Sequence, residues 1–275
     1  MKAVILAGGR GTRLVEETRA KSKAMVTIGE RPILWHLLKY YEHYGFGEFV
    51  VALGYRGDSI RQYFAQLGQR RPTKHEGPCT MVYPGAEPGW TVRLVETGLE
   101  TMSGGRIKRL APYLDGAPFM LTWCDGLADV DLDKLRTFHR SHGVLATLTA
   151  IHPPARFGRL TLDGDRISAF EEKTVDPAEW INGAFFVLDP GVFDFIAGDA
   201  TQFEHEPLTR LAAAGELMAY RHTSFWQCMD TLKEAQDLNA LWHAGRAPWK
   251  VWAEAWSPHA DPMPNGLVLR TSEGH

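Results

Sequence analysis

A short apolar strand followed directly by a glycine loop constrains how this chain can fold. The predicted strand covers residues 2–7, and the loop after it reads Gly-Gly-Arg-Gly-Thr-Arg at residues 8–13. Glycine lets a backbone approach a ligand closely, and successive backbone N–H groups in such a turn form an anion-binding concavity. The two arginines of the loop, with Lys21 and Lys23, add four positive charges within fourteen residues. This segment therefore predicts a strand–loop unit that binds a polyphosphate.

Two common glycine motifs do not fit this loop. It lacks the Gly-Lys-Ser/Thr ending of a Walker loop, and Arg13 or Leu14 stands where a dinucleotide-binding turn has its third glycine. An ordinary turn between a strand and a helix, with solvated charges, remains the alternative for three glycines alone. The cations that follow in this order favour phosphate binding.

Strand and helix patterns alternate through the first half of the chain. Apolar residues at helical spacing predict one helix from about residue 32 to 41 and another over 58–66. Continuous apolar runs at 49–53 and 119–124 are typical of parallel strands that are buried on both faces. This order predicts an α/β fold with a Rossmann-like, doubly wound and mostly parallel sheet, followed by a helix at 132–142.

The pattern becomes richer in strands after about residue 145. Predicted strands cover residues 145–151, 159–162, 166–171 and 181–188, and predicted helices cover 207–214 and 232–243. We interpret residues 1–254 as a single domain with halves at 1–144 and 145–254. The irregular excursion at 68–90 is typical of a lid, a subunit contact or a passive loop. The polar residues 257–275 are predicted to form a disordered tail.

Composition disfavours several classes of protein. The net charge is −3, so no general polyanion-binding surface is expected, and nucleic acid is not an expected partner. No apolar run reaches the roughly 18 residues of a membrane span, and the first apolar run is too short for a signal peptide. Three widely spaced cysteines are typical of free thiols in a reducing, cytoplasmic setting. The eleven histidines show no ligand pattern, and His139 and His142 are expected on a helix surface.

Several short motifs follow the glycine loop in one order along the chain. They are Gly54-Tyr-Arg-Gly57, Met102-Ser-Gly-Gly-Arg-Ile-Lys-Arg109, Asp125-Gly-Leu-Ala-Asp129, Phe170-Glu-Glu-Lys173, Ile181-Asn-Gly183 and Phe225-Trp-Gln-Cys-Met-Asp-Thr231. Together they resemble the sugar-1-phosphate nucleotidyltransferase family over nearly all of residues 1–252. Within that family the chain is most similar to the branch that transfers a cytidylyl group from CTP to glucose 1-phosphate. The resemblance implies a nucleotide-binding first half and a β-rich, sugar-phosphate-binding second half.

Nucleotidyl transfer requires two anions to be aligned and their spreading negative charge to be stabilised. We therefore expect Arg13 and Lys23 to act on the leaving pyrophosphate, and the resemblance implies Lys173 on the attacking phosphate. The expected nucleotide contacts are Leu6, Ala7, Gly8, Gly9, Arg10, Gly11, Thr12, Arg13, Gly104 and Arg106. The expected sugar-phosphate contacts are Glu172, Lys173, Asn182 and Gly183.

A Mg²⁺ site is expected at two carboxylates. Asp125 follows a predicted buried strand, at the edge where open α/β sheets bind ligands, and oxygen ligands suit Mg²⁺. The resemblance pairs it with Asp230. Asp129 and Asp131 are the competing carboxylates, which we interpret as helix-capping residues.

Five residues differ from the family pattern, and they lie around the expected substrate pockets. They are Ser22, Ala24, Cys124, Thr174 and Cys228. No charged residue that matches the catalytic pattern is lost, so an active enzyme is expected.

Three alternatives to cytidylyl transfer to glucose 1-phosphate remain. The enzyme could use UTP or dTTP in place of CTP, or it could use a different phosphorylated acceptor. The chain could also be a catalytically silent regulatory homologue. The family's use of the 68–90 region in assembly implies a homo-oligomer.

Overall fold

The computed structural model describes residues 1–12, 14–67, 74–75, 80–84, 89–153, 159–172 and 179–253. The strands are β1 (Ala3–Leu6), β2 (Thr27–Ile28), β3 (Arg31–Pro32), β4 (Glu48–Leu53), β5 (Lys74–His75), β6 (Thr80–Pro84), β7 (Thr91–Glu96), β8 (Phe119–Trp123), β9 (Gly126–Ala128), β10 (Ala146–Ile151), β11 (Arg159–Asp163), β12 (Arg166–Glu171), β13 (Ile181–Leu188), β14 (Leu217–Arg221) and β15 (Trp226–Cys228). The α-helices are α1 (Val15–Thr18), α2 (Ile33–His43), α3 (Gly57–Leu67), α4 (Ser103–Leu110), α5 (Leu132–His142), α6 (Glu206–Ala213) and α7 (Leu232–His243). Short 3₁₀ turns cover Lys23–Met25, Ala111–Tyr113 and Pro190–Phe195.

A nine-stranded sheet forms the centre of the described structure, in the order β14-β10-β13-β8-β1-β4-β7-β6-β5. Strand β1 pairs in parallel with both β4 and β8, and β4 pairs in parallel with β7. Strand β13 is antiparallel to its neighbours β8 and β10, and β6 is antiparallel to β5 and β7. Strand β10 also pairs in parallel with β14, so seven of the nine strands run in the same direction and only β13 and β6 run in the opposite one. The predicted mostly parallel α/β sheet is therefore confirmed.

Two apolar cores lie on opposite faces of this sheet, because successive side chains of a strand point to opposite sides. In β1, Ala3 and Ile5 belong to one core, and Val4 and Leu6 belong to the other. Helices α2, α3, α5 and α7 contribute to the first core, and α4 and α6 contribute to the second. Helices on both faces make the sheet doubly wound, as predicted.

Most predicted elements lie where the sequence pattern places them, within a few residues. The helix predicted from about residue 32 begins directly after Pro32, and its apolar stripe is buried. The excursion at 68–90 contains β5 and β6. Residues 68–73, 76–79 and 85–88 of the excursion, and the predicted tail at 257–275, lie outside the described residues. None of the helices in the described part of the chain has the length and apolar character to cross a bilayer.

The expectation that His139 lies on a helix surface is wrong. This side chain is buried, because α5 packs against the second half of the sheet. Its Nδ1 atom lies 2.8 Å from Thr147 Oγ1, and its Nε2 atom lies 3.2 Å from an Asp189 carboxylate oxygen. Burial lowers the pKa of His139, although Asp189 opposes this effect. The residue has a structural role in joining α5 to β10.

Candidate active site

The glycine loop leaves the carboxyl end of β1 and is fixed to its neighbours by backbone hydrogen bonds. Ala7 N donates to Ala52 O at 3.0 Å, and Tyr55 N donates to Gly8 O at 3.1 Å. Gly11 has φ +60°, a conformation that favours glycine. The loop therefore lies at the sheet edge where open α/β folds place their ligands.

The segment after the loop brings Lys23 back toward β1. Ser22 caps the short 3₁₀ turn that carries Lys23, since its hydroxyl accepts from Ala24 N. The same hydroxyl donates to Ala7 O at 3.2 Å, and Ser22 N donates to Ser59 Oγ at 3.0 Å. Ser22 thus connects the lysine segment to the glycine loop and to α3.

Lys23 lies between the two carboxylates that were expected to bind metal. Its Nζ atom donates to Asp125 Oδ2 at 2.7 Å and to Asp230 Oδ1 at 2.5 Å. The Lys23 and Asp230 side chains are largely buried, at 9% and 12% exposed, whereas Asp125 is 26% exposed. Burial disfavours the ammonium and has the largest effect on its pKa, yet the two carboxylates together outweigh it and raise the Lys23 pKa. Lys23 is therefore held charged.

The two carboxylates reach this point from distant parts of the chain. Asp125 follows β8, whose next residue, Cys124, donates its N–H to Leu6 O at 3.2 Å. Asp230 precedes the N-cap of α7, where Thr231 and Glu234 form a capping box. Glu234 Oε2 also accepts from Asp230 N at 2.8 Å. The start of α7 therefore fixes the position of Asp230.

Arg106 of α4 lies beneath the glycine loop rather than in solvent. Its Nη1 atom donates to Leu53 O, Thr97 Oγ1 and Gly98 O at 2.7–3.0 Å. A Cβ added to Gly8 would lie 2.4 Å from the same Nη1 atom, so the absence of a side chain at Gly8 makes room for the guanidinium. Burial lowers the pKa of Arg106.

A cavity of about 350 Å³ is open between the glycine loop, α4 and the end of β8. The predicted site residues that line it are Leu6, Gly8, Gly9, Arg10, Gly11, Thr12, Lys23, Arg106, Asp125 and Asp230. Ala7 is buried behind it. Gly104, which was also expected to contact the nucleotide, is not among the lining residues, and its N–H donates to Thr201 O at 2.9 Å. One connected site therefore unites the expected phosphate loop with the expected metal carboxylates.

The structure also shows lining residues that the sequence reasoning missed. They are Leu99, Glu100, Thr101, Met102, Ser103 and Trp123; Cys124, which the sequence had placed beside the expected pockets, lines the cavity as well. The sequence signal that could have identified Trp123 as a lining residue is its position two residues before Asp125. Its indole Nε1 donates to Glu204 Oε1 at 3.0 Å, so the ring is fixed at the cavity wall. Burial, followed by the nearby Asp125, raises the pKa of the Cys124 thiol to about 12, so this thiol stays protonated.

Three of the four expected sugar-phosphate residues are described: Glu172 after the end of β12, and Asn182 and Gly183 at the start of β13. Glu172 is exposed directly after β12, Asn182 is half-buried and Gly183 is buried. Arg13 and Lys173 lie outside the described residues. Asp131 caps α5 as expected, since its carboxylate accepts from Lys134 N at 2.9 Å, whereas Asp129 lies 3.0 Å from His222 Nε2.

The donor set fits a hard divalent cation shared with a substrate. The Asp125 and Asp230 oxygens converge on one point, which the Lys23 ammonium occupies, and carboxylate oxygens are the ligands Mg²⁺ prefers. Within the described residues, no three His, Cys, Asp or Glu side chains are grouped to hold a metal alone. Phosphate and water oxygens would have to supply the remaining ligands.

Comparisons with known proteins identify the family to which the chain belongs. The family model described as "Nucleotidyl transferase" matches residues 2–231. Glucose-1-phosphate cytidylyltransferase of Salmonella typhi is 49% identical over 92% of this chain and all of its own length. A "probable glucose-1-phosphate cytidylyltransferase" of Bacillus subtilis (strain 168) is 42% identical with the same coverage.

Solved structures show the same fold at low sequence identity. A UDP-glucose pyrophosphorylase solved with UDP-glucose superposes with a TM-score of 0.66 at 14% identity, over 89% of this chain and 99% of that one. The chain therefore belongs to the nucleotidyl transferase family and is a nucleotidyltransferase.

Proposed function

We propose that this enzyme transfers the cytidylyl group of CTP to α-D-glucose 1-phosphate, with release of pyrophosphate and formation of CDP-glucose. The observation that carries the proposal is the placement of Lys23, Asp125 and Asp230 at the wall of a cavity bounded by the glycine loop. The choice of CTP and glucose 1-phosphate rests on the names of relatives that the chain matches over 92% of its length.

The protein groups act by alignment and charge stabilisation, because phosphoryl-type transfer needs little covalent help. The loop amides, with Arg13 and Lys23, would bind the phosphates that leave as pyrophosphate. Lys23 is suited to this role because its flexible chain can turn from the carboxylates to a phosphate oxygen. Arg106, with the backbone of Gly8 and Gly9, would face the nucleoside.

The attacking phosphate would be bound on the other side of the carboxylates. Lys173 would pair with this phosphate, and Glu172, Asn182 and the Gly183 backbone would contact the sugar. Asp125 and Asp230 would hold Mg²⁺, which neutralises negative charge on phosphate oxygens. Both anions would then meet at the carboxyl edge of β8.

A pyrophosphate-release assay tests the proposal directly. CTP, UTP, dTTP and ATP are each combined with glucose 1-phosphate, other sugar 1-phosphates and non-sugar phosphates, with Mg²⁺ present. We expect the highest kcat/KM for CTP with glucose 1-phosphate, and a loss of at least about 100-fold in D125N and D230N. Better use of another base or acceptor would overturn the assigned substrates, and no release from any pair would favour a silent homologue.

A further inference from the structure

Strand β13 is irregular at the two residues expected to contact the sugar phosphate. Leu148 of β10 lies opposite Phe186, whereas Ala150 lies opposite Asn182, so three residues of β13 face Thr149 alone. Bulges of this kind occur next to active sites, where they change the direction of a side chain. The bulge therefore decides how Asn182 is presented.

The bulge has a backbone conformation that its sequence does not favour. Ala184 has φ +60°, which L residues other than glycine, asparagine and aspartate rarely adopt. A Cβ on Gly183 would lie 2.9 Å from Thr149 O, so only glycine fits at that position. Surrounding contacts must therefore hold Ala184 in place.

Two hydrogen bonds hold the bulge. Ala184 N donates to Asn182 Oδ1 at 2.7 Å, which turns the Asn182 carbonyl toward the backbone and leaves its amide nitrogen as a donor. Trp226 Nε1 donates to Gly183 O at 2.7 Å. Trp226 lies in β15, the strand that leads to Asp230, and is half-buried there.

We propose that Trp226 is a positioning residue for the acceptor. Its indole N–H holds the Gly183 bulge, so that Asn182 presents its amide nitrogen to an oxygen of the sugar phosphate. Since β15 also leads to Asp230, one side chain connects the acceptor-binding strand with a carboxylate expected to hold metal. This role rests on the proposed function and concerns its acceptor side alone.

A double-mutant cycle tests the role of the indole. W226F removes the hydrogen-bond donor and keeps an aromatic ring, and we expect the KM for glucose 1-phosphate to rise about tenfold, with the KM for CTP unchanged within about twofold. A184G removes the strain that the indole opposes. The double variant W226F/A184G should therefore recover most of the lost acceptor affinity, whereas A184G alone stays close to wild type.

A matched control makes the same substitution at a remote tryptophan. Trp90 precedes β7 and is buried against Phe49 on the first core. W90F should lower Tm without changing either KM. If W226F behaves in the same way, or raises both KM values equally, Trp226 is only a packing residue and the inference fails.

Amide hydrogen exchange tests the bulge without any turnover. In W226F, residues 182–185 should exchange faster than in wild type, and in W90F they should exchange at the wild-type rate. If wild-type protein releases no pyrophosphate from any substrate pair, the proposed function fails while this measurement still decides the role of the indole. Unchanged exchange at 182–185 in W226F overturns the inference.

Discussion

The ammonium group of Lys23 lies 2.5 Å from the carboxylate of Asp230, 207 positions further along the chain. Asp125 provides a second carboxylate 2.7 Å from the same nitrogen. Lys23 therefore acts as the counterion of two acids that would otherwise repel each other in a partly buried site. If these acids hold Mg²⁺, as proposed, the ammonium and the metal compete for the same oxygens.

This competition predicts that K23M binds Mg²⁺ more tightly than wild type in the absence of nucleotide. Removing the positive charge should lower the Kd for Mg²⁺ by about tenfold. It should also cost about 3 kcal/mol of unfolding free energy without Mg²⁺, because the carboxylates lose their partner. Isothermal titration with MgCl₂ and urea denaturation measure the two effects.

The control for Lys23 is D230N, which should bind Mg²⁺ more weakly than wild type. Turnover should fall at least about 100-fold in K23M despite the tighter metal binding, because the lysine is needed at the leaving group. An identical Mg²⁺ affinity in K23M and wild type would show that the ammonium does not compete with the metal.

Gly8 and Gly9 offer a matched pair of substitutions in the glycine loop. A Cβ at Gly8 would lie 2.4 Å from Arg106 Nη1, whereas a Cβ at Gly9 meets no atom within 4 Å. G8A should therefore displace the guanidinium from Leu53 O and Gly98 O and raise the KM for CTP by about tenfold. G9A should keep the wild-type Tm within about 2 °C. Equal Tm and KM values for the two variants would show that Arg106 does not depend on the space at Gly8.

His36 predicts a loss of stability in mild acid. Burial lowers the pKa of His36 from 6.5 to about 4, with Ile28 O opposing the shift as a hydrogen-bond acceptor. Above pH 6.5 the residue is neutral in the folded and unfolded states. Between pH 6.5 and 4 only the unfolded state takes up the proton, so the unfolding free energy falls by about 3 kcal/mol over this range.

The substitution H36Q isolates this effect, because an amide can both donate to Ile28 O and accept from Trp249 Nε1 without titrating. Urea denaturation from pH 7 to 4 should show a shallower decline for H36Q than for wild type. A smaller decline in the same direction remains, since burial also lowers the pKa of His139. If the unfolding free energies of H36Q and wild type fell equally between pH 7 and 4, groups other than His36 would cause the acid sensitivity.

The sequence predicted the elements that have strong local signals, and it missed those defined by packing. The glycine loop and the alternating strands and helices follow from periodicity. Strand β14 gave no signal because it is an edge strand whose residues are largely half-buried or exposed, without the alternation of a half-buried strand. The burial of His139 depends on β10 and Asp189, which helical spacing does not reveal.

The same limit applies to the site. Lys23 was recognisable as a cation that follows the glycine loop, and Asp125 from its place after a predicted buried strand. Asp230 was paired with Asp125 by family resemblance, since 105 positions separate the two acids in sequence. The cavity wall at Leu99–Ser103 and Trp123 depends on how α4 packs on the sheet. Leu99, Glu100, Thr101 and Trp123 belong to none of the sequence motifs, so only the three-dimensional arrangement identifies them.

Ser22 is one of the positions at which the chain departs from the family pattern, and its contacts predict how Lys23 is kept in place. Its hydroxyl donates to Ala7 O, and its φ of −61° is one that proline adopts. S22A should lose about 1 kcal/mol of unfolding free energy and lower kcat about fivefold, because the lysine turn is no longer tied to the glycine loop. S22P also removes the N–H that donates to Ser59 Oγ, so it should lose more unfolding free energy than S22A although its ring keeps the same φ. S59A, which removes the acceptor for Ser22 N and the donor to Arg56 O but keeps the Ser22 hydroxyl, is the control and should lower kcat less than S22A. Steady-state kinetics with urea denaturation compare the three variants, and wild-type values for S22A would contradict a positioning role for the hydroxyl.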